Sequence, residues 1–222
     1  MMVAVYNEKG GVGKTTTSVN LAAVLARRHS PGKGAGWKTV IVDADVQRDA
    51  SIYRDSEPNV EWHHWSGGSL RSMLEELRRR SREGEQLHAV IDCPPAIGAE
   101  SNAALRAADV VLVPVSSDFE SMRGLSRLQE QVEGARNAGN PLLRMAVVMT
   151  MFNPRSEFCL DILQAVRSQV GPQLLTTTVR HSRLFKEAAL HGETMQRYSR
   201  RSTGASDYRA LVEELFLKFH MH

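Results

Sequence analysis

The sequence is poor in cysteine, in long apolar runs and in net charge. Cys93 and Cys159 are its two cysteines in 222 residues. They lie far apart and without CxxC spacing, which argues against a disulfide or zinc scaffold and for a reduced, cytosolic protein. No apolar run approaches the roughly 18 residues a membrane span requires, and no basic-then-apolar leader opens the chain. Membrane anchoring is therefore not expected. The balance of 28 basic and 25 acidic side chains leaves only +3, too little to name a partner by itself. What is present is ordinary for a globular protein: 42% apolar and 24% charged residues. The length suits one domain over residues 1–222.

The small charge is unevenly placed. Residues 1–175 hold 20 basic and 20 acidic side chains, whereas residues 176–222 hold 8 and 5. All of the excess lies in the last stretch. Along the chain, apolar runs at Val3–Tyr6, Thr39–Val42, Ala89–Ile91, Val110–Val115, Ala146–Met151 and Leu174–Val179 alternate with amphipathic segments. Those segments predict helices over 15–28, 69–82, 100–108, 119–138, 156–170, 183–191 and 204–219. Such alternation predicts an α/β, doubly wound, mostly parallel sheet with helices on both faces. The Gly/Pro-rich stretch Ser30–Gly36 predicts a flexible connection, and residues 55–68 carry the weakest signal.

The most informative segment is Lys9-Gly10-Gly11-Val12-Gly13-Lys14-Thr15-Thr16. It follows an apolar run and opens a helix, the setting of a phosphate-binding loop. Its glycines let successive N–H groups face phosphates, and the helix adds its positive end. Lys14 would then reach the β- and γ-phosphates of a nucleotide, and the Thr15 hydroxyl would hold Mg²⁺. Further on, Val40-Ile41-Val42-Asp43-Ala44-Asp45 and Ala89-Val90-Ile91-Asp92 each end an apolar run in acid. In an open α/β sheet that edge is where ligands bind. Asp92 fits the strand-end carboxylate that holds Mg²⁺ through water. For Asp43 and Asp45, capping of a following helix is the competing reading.

The pattern departs from the usual loop, because Glu8 replaces the expected first glycine and Lys9 follows it. This KGGVGKT form resembles the deviant Walker A motif of the ParA/MinD group of ATPases. The resemblance extends through Asp43-Ala44-Asp45-Val46-Gln47, where Val46 replaces a usual proline, and Asp92-Cys93-Pro94-Pro95. It also takes in Met122-Arg123-Gly124-Leu125 and Gly204-Ala205-Ser206-Asp207-Tyr208. It implies a P-loop ATPase in which Lys9 reaches the nucleotide of a partner subunit, in the manner of an arginine finger. It also implies that Asp45 sets the attacking water, with Asp43 nearer the water shell of the metal. Cys93 is then a small buried residue.

Discriminating residues favour the small DNA-partition ParA proteins. Neither cysteine is placed to ligate an iron–sulfur cluster, no CxxC suggests the tail-anchored-protein targeting branch, and four Tyr are too few for a tyrosine-rich kinase tail. A MinD-like membrane helix is opposed by Glu213 and Glu214 in the terminal amphipathic segment. The basic stretch holds Arg180, Arg183, Lys186, Arg197, Arg200 and Arg201 against Glu187 and Glu193. It predicts phosphate contacts with non-specific DNA, with a solvated surface as the bland alternative. The family's Ile-Pro-Arg-Asn is here Val179-Arg180-His181-Ser182, so individual contacts are not carried over. No helix-turn-helix precedes the loop, and His63-His64 is a poor metal pair because adjacent strand residues face opposite ways. The expectation is an ATP-dependent homodimer on nucleoid DNA in the cytoplasm, stimulated by a ParB-like or adaptor protein. A MinD-like positioning ATPase and an ATP-switched binding module with negligible turnover remain as alternatives.

Overall fold

Strands that read as continuous Val, Ile, Leu and Ala belong where both faces of a sheet are covered, and the computed structural model has that architecture. It describes residues 1–28, 37–45, 49–65 and 69–219. The Ser30–Gly36 connection, the Val46–Gln47 departure and residues 66–68 of the weak stretch lie outside the described residues. In chain order come β1 (Met2–Val5), α1 (Lys14–Arg28), β2 (Lys38–Asp43), a 3-10 helix (Asp49–Ser56) and β3 (Val60–His64). Next are α2 (Leu70–Arg82), β4 (Leu87–Asp92), α3 (Ala99–Ala107), β5 (Val110–Ser116), α4 (Phe119–Arg123) and α5 (Leu125–Asn137). The chain continues through β6 (Arg144–Phe152), α6 (Glu157–Val170), β7 (Leu174–Arg180), α7 (Leu184–Leu190), α8 (Met195–Tyr198) and α9 (Thr203–Phe219).

The seven strands pair in the order β3-β2-β4-β1-β5-β6-β7, and every pairing is parallel. Alternation with a period of two sorts the side chains into two cores. Met2, Ala4, Ala89, Ile91, Val111 and Val113 face α2, α3, α5 and α6. Val3, Val5, Val90, Val110 and Leu112 face α1 and α9. β1 sits between β4 and β5, so the chain leaves the β1 end toward α1 on one face and the β4 end toward α3 on the other. That divergence opens a crevice at the carboxyl edge of the sheet.

Two sequence expectations change. The helix expected over 119–138 is two helices that share Gly124 as the C-cap of one and the N-cap of the next. Asp118 starts α4 by accepting a 2.8 Å hydrogen bond from the Ser121 amide. Residues 60–64, where the sequence signal is weak, form the edge strand β3, paired along the whole of its length with β2. Its polar Glu61, His63 and His64 hide the strand pattern, since an edge strand need not be apolar on both faces.

Gly192, in the turn between α7 and α8, packs against the 3-10 helix. It adopts φ +63°, and a Cβ there would lie 2.5 Å from the Ile52 carbonyl oxygen. Left-handed strain and a clash with backbone act together. Gly192→Ala is expected to destabilise the protein by about 2 kcal/mol or more in urea denaturation. A change within experimental error would show that this turn gives way without cost.

Candidate functional site

The loop between β1 and α1 is shaped by two glycines and braced by its neighbours. Gly11 and Gly13 take φ of +75° and +88°, which side chains with L chirality rarely adopt. The Asn7 amide donates to the Pro114 carbonyl at 2.8 Å and its oxygen accepts from the Lys9 amide at 3.0 Å. On the far side the Thr150 hydroxyl donates to the Val12 carbonyl at 2.8 Å. The Thr17 amide returns to the Gly13 carbonyl at 2.8 Å, and the first turn of α1 contains no acidic side chain. The N–H groups at this helix start are thus not covered by a carboxylate of their own turn, the arrangement that receives an anion.

Lys14 is 8% exposed, and its Nζ donates to the Lys9 carbonyl at 2.9 Å. Burial lowers its pKa, against the pull of Asp92 and Asp45. Parallel pairing aligns the acids: Asp43 of β2 is level with Asp92 of β4, and Asp92 is level with Val5, where the loop begins. Asp92 is 1% exposed. Its Oδ1 accepts from the Ser18 hydroxyl of α1 at 2.8 Å, and its buried Oδ2 has no hydrogen bond of ordinary length among the described residues. Burial pushes its carboxyl up to about 7. The Ser18 and Thr15 hydroxyls oppose the shift, and the neighbouring Asp43 and Asp45 add to it. The Asp45 amide donates to Asp43 Oδ1 at 3.2 Å. His64 Nδ1 lies 3.8 Å from Asp43 Oδ2. His63 instead turns to Glu61, with Nε2 and Oε1 2.6 Å apart, so the two histidines diverge as the strand period predicts.

The loop opens onto a cleft of about 410 Å³. One half is lined by Gly10, Gly11, Gly13, Lys14, Thr15, Thr16 and Asp45. The other is lined by Val179, Arg180, His181, Phe185, Lys186 and Tyr208, with Met151 between. Met151, next to last in β6, has φ +51° and lies within a register irregularity of the β6–β7 pairing. Sequence reasoning missed this second half. The signal was there in the Gly204–Tyr208 motif and in the unusual Val179–Ser182 stretch, but the one had no role attached and the other was assigned to DNA.

The basic group is divided by the fold. Arg180 is committed to Asp207, which accepts from the Arg180 amide at 2.9 Å and from Nε and Nη2 at 3.0 and 2.5 Å. Within the basic group it is therefore an ion-paired residue at the wall of the cleft. Lys186 borders the same cleft. Arg183, Arg200 and Arg201 are exposed, and Arg197 pairs with Glu193 at 3.3 Å. Asp207→Ala is expected to cost about 2 kcal/mol in urea denaturation, because it orphans a guanidinium and a strand amide. Arg183→Ala should stay within about 0.5 kcal/mol. Equal losses would show that the ion pair does not anchor the β7 end.

Comparison with known proteins agrees with this geometry. The chain is similar to the chromosome partitioning protein ParA of Myxococcus xanthus, at 28% identity covering 96% of this chain and 87% of the other. It is also similar to the chromosome-partitioning ATPase Soj of Thermus thermophilus, at 28% identity covering 97% and 95%. Among solved structures, the septum site-determining protein MinD of Pyrococcus horikoshii, complexed with Mg-ADP, shares the fold. Its TM-score is 0.74, with 20% identity and coverage of 96% and 95%. The sequence model described as the CobQ/CobB/MinD/ParA nucleotide binding domain matches residues 3–195, and the chain belongs to that family.

Proposed function

We propose that the protein is a ParA-type ATPase that dimerises on ATP, binds DNA without sequence preference and moves or positions a plasmid, chromosome or protein cargo. The observation that carries this reading is the Lys9–Thr16 loop opening onto one cleft with Asp43, Asp45 and Asp92 at the adjoining strand ends. Relatives whose names state chromosome partitioning, aligned over nearly the whole chain, support it. A ParB-like or adaptor protein would stimulate hydrolysis, and the site of action would be the nucleoid in the cytoplasm.

In this reading Lys14 leaves the Lys9 carbonyl for the β- and γ-phosphates, and the amides of residues 10–16 hold the remaining phosphate oxygens. The residues fit a magnesium ion. Asp92 Oδ2 is a buried acceptor without an ordinary partner, and Thr15 stands half-buried beside it. No group of three or more His, Cys, Asp or Glu that could hold a metal occurs among the described residues. That matches an ion shared between protein, phosphates and water rather than caged by side chains. Thr15 would hold it directly, Asp92 and Asp43 through water, and it would offset phosphate charge. Asp45, half-buried at the cleft wall, orients the water that attacks the γ-phosphate. Lys9 acts across the dimer.

The MinD-like alternative requires a terminal helix free to enter a bilayer. In α9, Leu211, Val212, Leu215, Phe216 and Phe219 are buried in the core. Glu214 accepts hydrogen bonds from the Thr176 and Thr177 amides of the edge strand at 2.6 and 2.8 Å. The apolar face of this helix is thus occupied, which favours DNA as the partner surface.

Lys14→Ala should lower DNA- and partner-stimulated hydrolysis about 100-fold or more, while unchanged turnover would remove the catalytic assignment. Lys9→Ala should keep monomeric nucleotide binding and lose ATP-dependent dimerisation. Reversing charge at Arg200 and Arg201 should weaken DNA binding and flatten its salt dependence. Intact DNA binding in that variant, together with ATP-dependent sedimentation on anionic liposomes, would turn the reading to the membrane alternative.

A further inference from the structure

Lys9 is held by its own chain. Its Nζ lies 2.5 Å from Asp118 Oδ1 and 3.4 Å from Glu120 Oε2, at the start of α4. Partial burial works against the charge, but the hydrogen bond and charge of Asp118, with Glu120 behind it, hold the ammonium above its ordinary pKa. One ammonium facing two carboxylates gives this corner a formal charge of −1. Left in place, the group would meet the phosphates of a second subunit with net repulsion. A trans role for Lys9 therefore requires that it first leave Asp118.

Building on the proposed trans role of Lys9, we infer that Asp118, backed by Glu120, is a positioning residue that latches Lys9 in cis, and that its release is a step of ATP-dependent dimerisation. The latch is asymmetric. Asp118 also accepts from the Ser116 hydroxyl at 2.5 Å, the Ser121 amide at 2.8 Å and the Ser121 hydroxyl at 3.2 Å. These donors keep its charge satisfied when Lys9 departs, so Asp118 stays and the flexible lysine stem moves.

A path from the nucleotide to the latch is also present. The Lys9 carbonyl accepts from Lys14 Nζ at 2.9 Å. Drawing Lys14 onto a triphosphate removes that bond and loosens the Lys9 peptide, so occupancy of one site favours release of the residue that completes the other. The latch is weak enough to switch. The two side chains are 30% and 38% exposed, and an ion pair of that exposure shifts an equilibrium by about two- to fivefold.

The test measures the monomer–dimer constant of the full chain by sedimentation, with Mg²⁺ and a slowly hydrolysed ATP analogue. Asp118→Asn removes the charge and keeps a good N-cap residue. It should tighten the dimer about two- to fivefold at low salt and less at high ionic strength. Glu120→Gln, on an exposed side chain that cannot upset the core, should act in the same direction more weakly. If Asp118→Asn leaves dimerisation unchanged or weaker while Lys9→Ala impairs it, the latch is wrong and the trans role stands. If the wild type does not dimerise, or Lys9→Ala dimerises normally, the trans role and the latch fall together.

Discussion

Everything at the carboxyl edge of the sheet depends on how α1 is held. A helix usually buries one stripe, but α1 is buried on nearly every side from Thr17 to Ala26, and four of its polar residues tie it to four parts of the chain. The Ser18 hydroxyl bonds Asp92 of β4 at 2.8 Å, and Thr17 meets the Tyr208 hydroxyl of α9 at 3.1 Å. Asn20 accepts from the Met195 amide at 2.8 Å, and Arg27 pairs with Glu57 at 2.9 Å. The glycine loop is the N-terminal continuation of this helix. Fixing the helix from four directions fixes where the loop amides lie, and preorganised donors are what anion binding requires.

The same packing governs the charges. Parallel pairing sets Asp43 and Asp92 side by side at the strand ends, and the two cores exclude water beneath them. Asp92 therefore carries a strongly raised pKa, and Lys14 a lowered one. Asp92 eases the shift of Lys14, and each would gain from ligands of opposite charge entering the cleft. Lys9 differs. It lies at the open rim of the loop, half-exposed, and satisfies its charge on Asp118. Buried charges facing the cleft and a rim charge engaged within its own chain suit the proposed order, in which the site fills first and the dimer assembles second.

Much of this was legible in the chain. The loop reads directly from three glycines and two lysines at fixed spacing, because the backbone angles at Gly11 and Gly13 are a local demand that only glycine meets freely. Among the described residues six of the seven strands read as apolar runs, and the inner ones do so because a strand covered on both faces is apolar throughout. β3 was obscured because its identity depends on hydrogen bonding to β2 rather than on its own side chains. The break at Gly124 was hidden inside a continuous helical pattern, since glycine inside a helix is tolerated and its role as a cap is settled by its neighbours.

By itself the sequence determined the parallel α/β class, the phosphate loop and the acids at two strand ends, since these follow from local periodicity and backbone conformation. Tertiary structure decided which acids stand together, that Arg180 pairs with Asp207, and that residues 179–186 wall the same cleft as residues 10–16. It also decided that Lys9 rests on Asp118. The two ion pairs alone join groups 27 and 109 positions apart in the chain. Such distances are closed only by the winding of the strands, and no local pattern of residues records them.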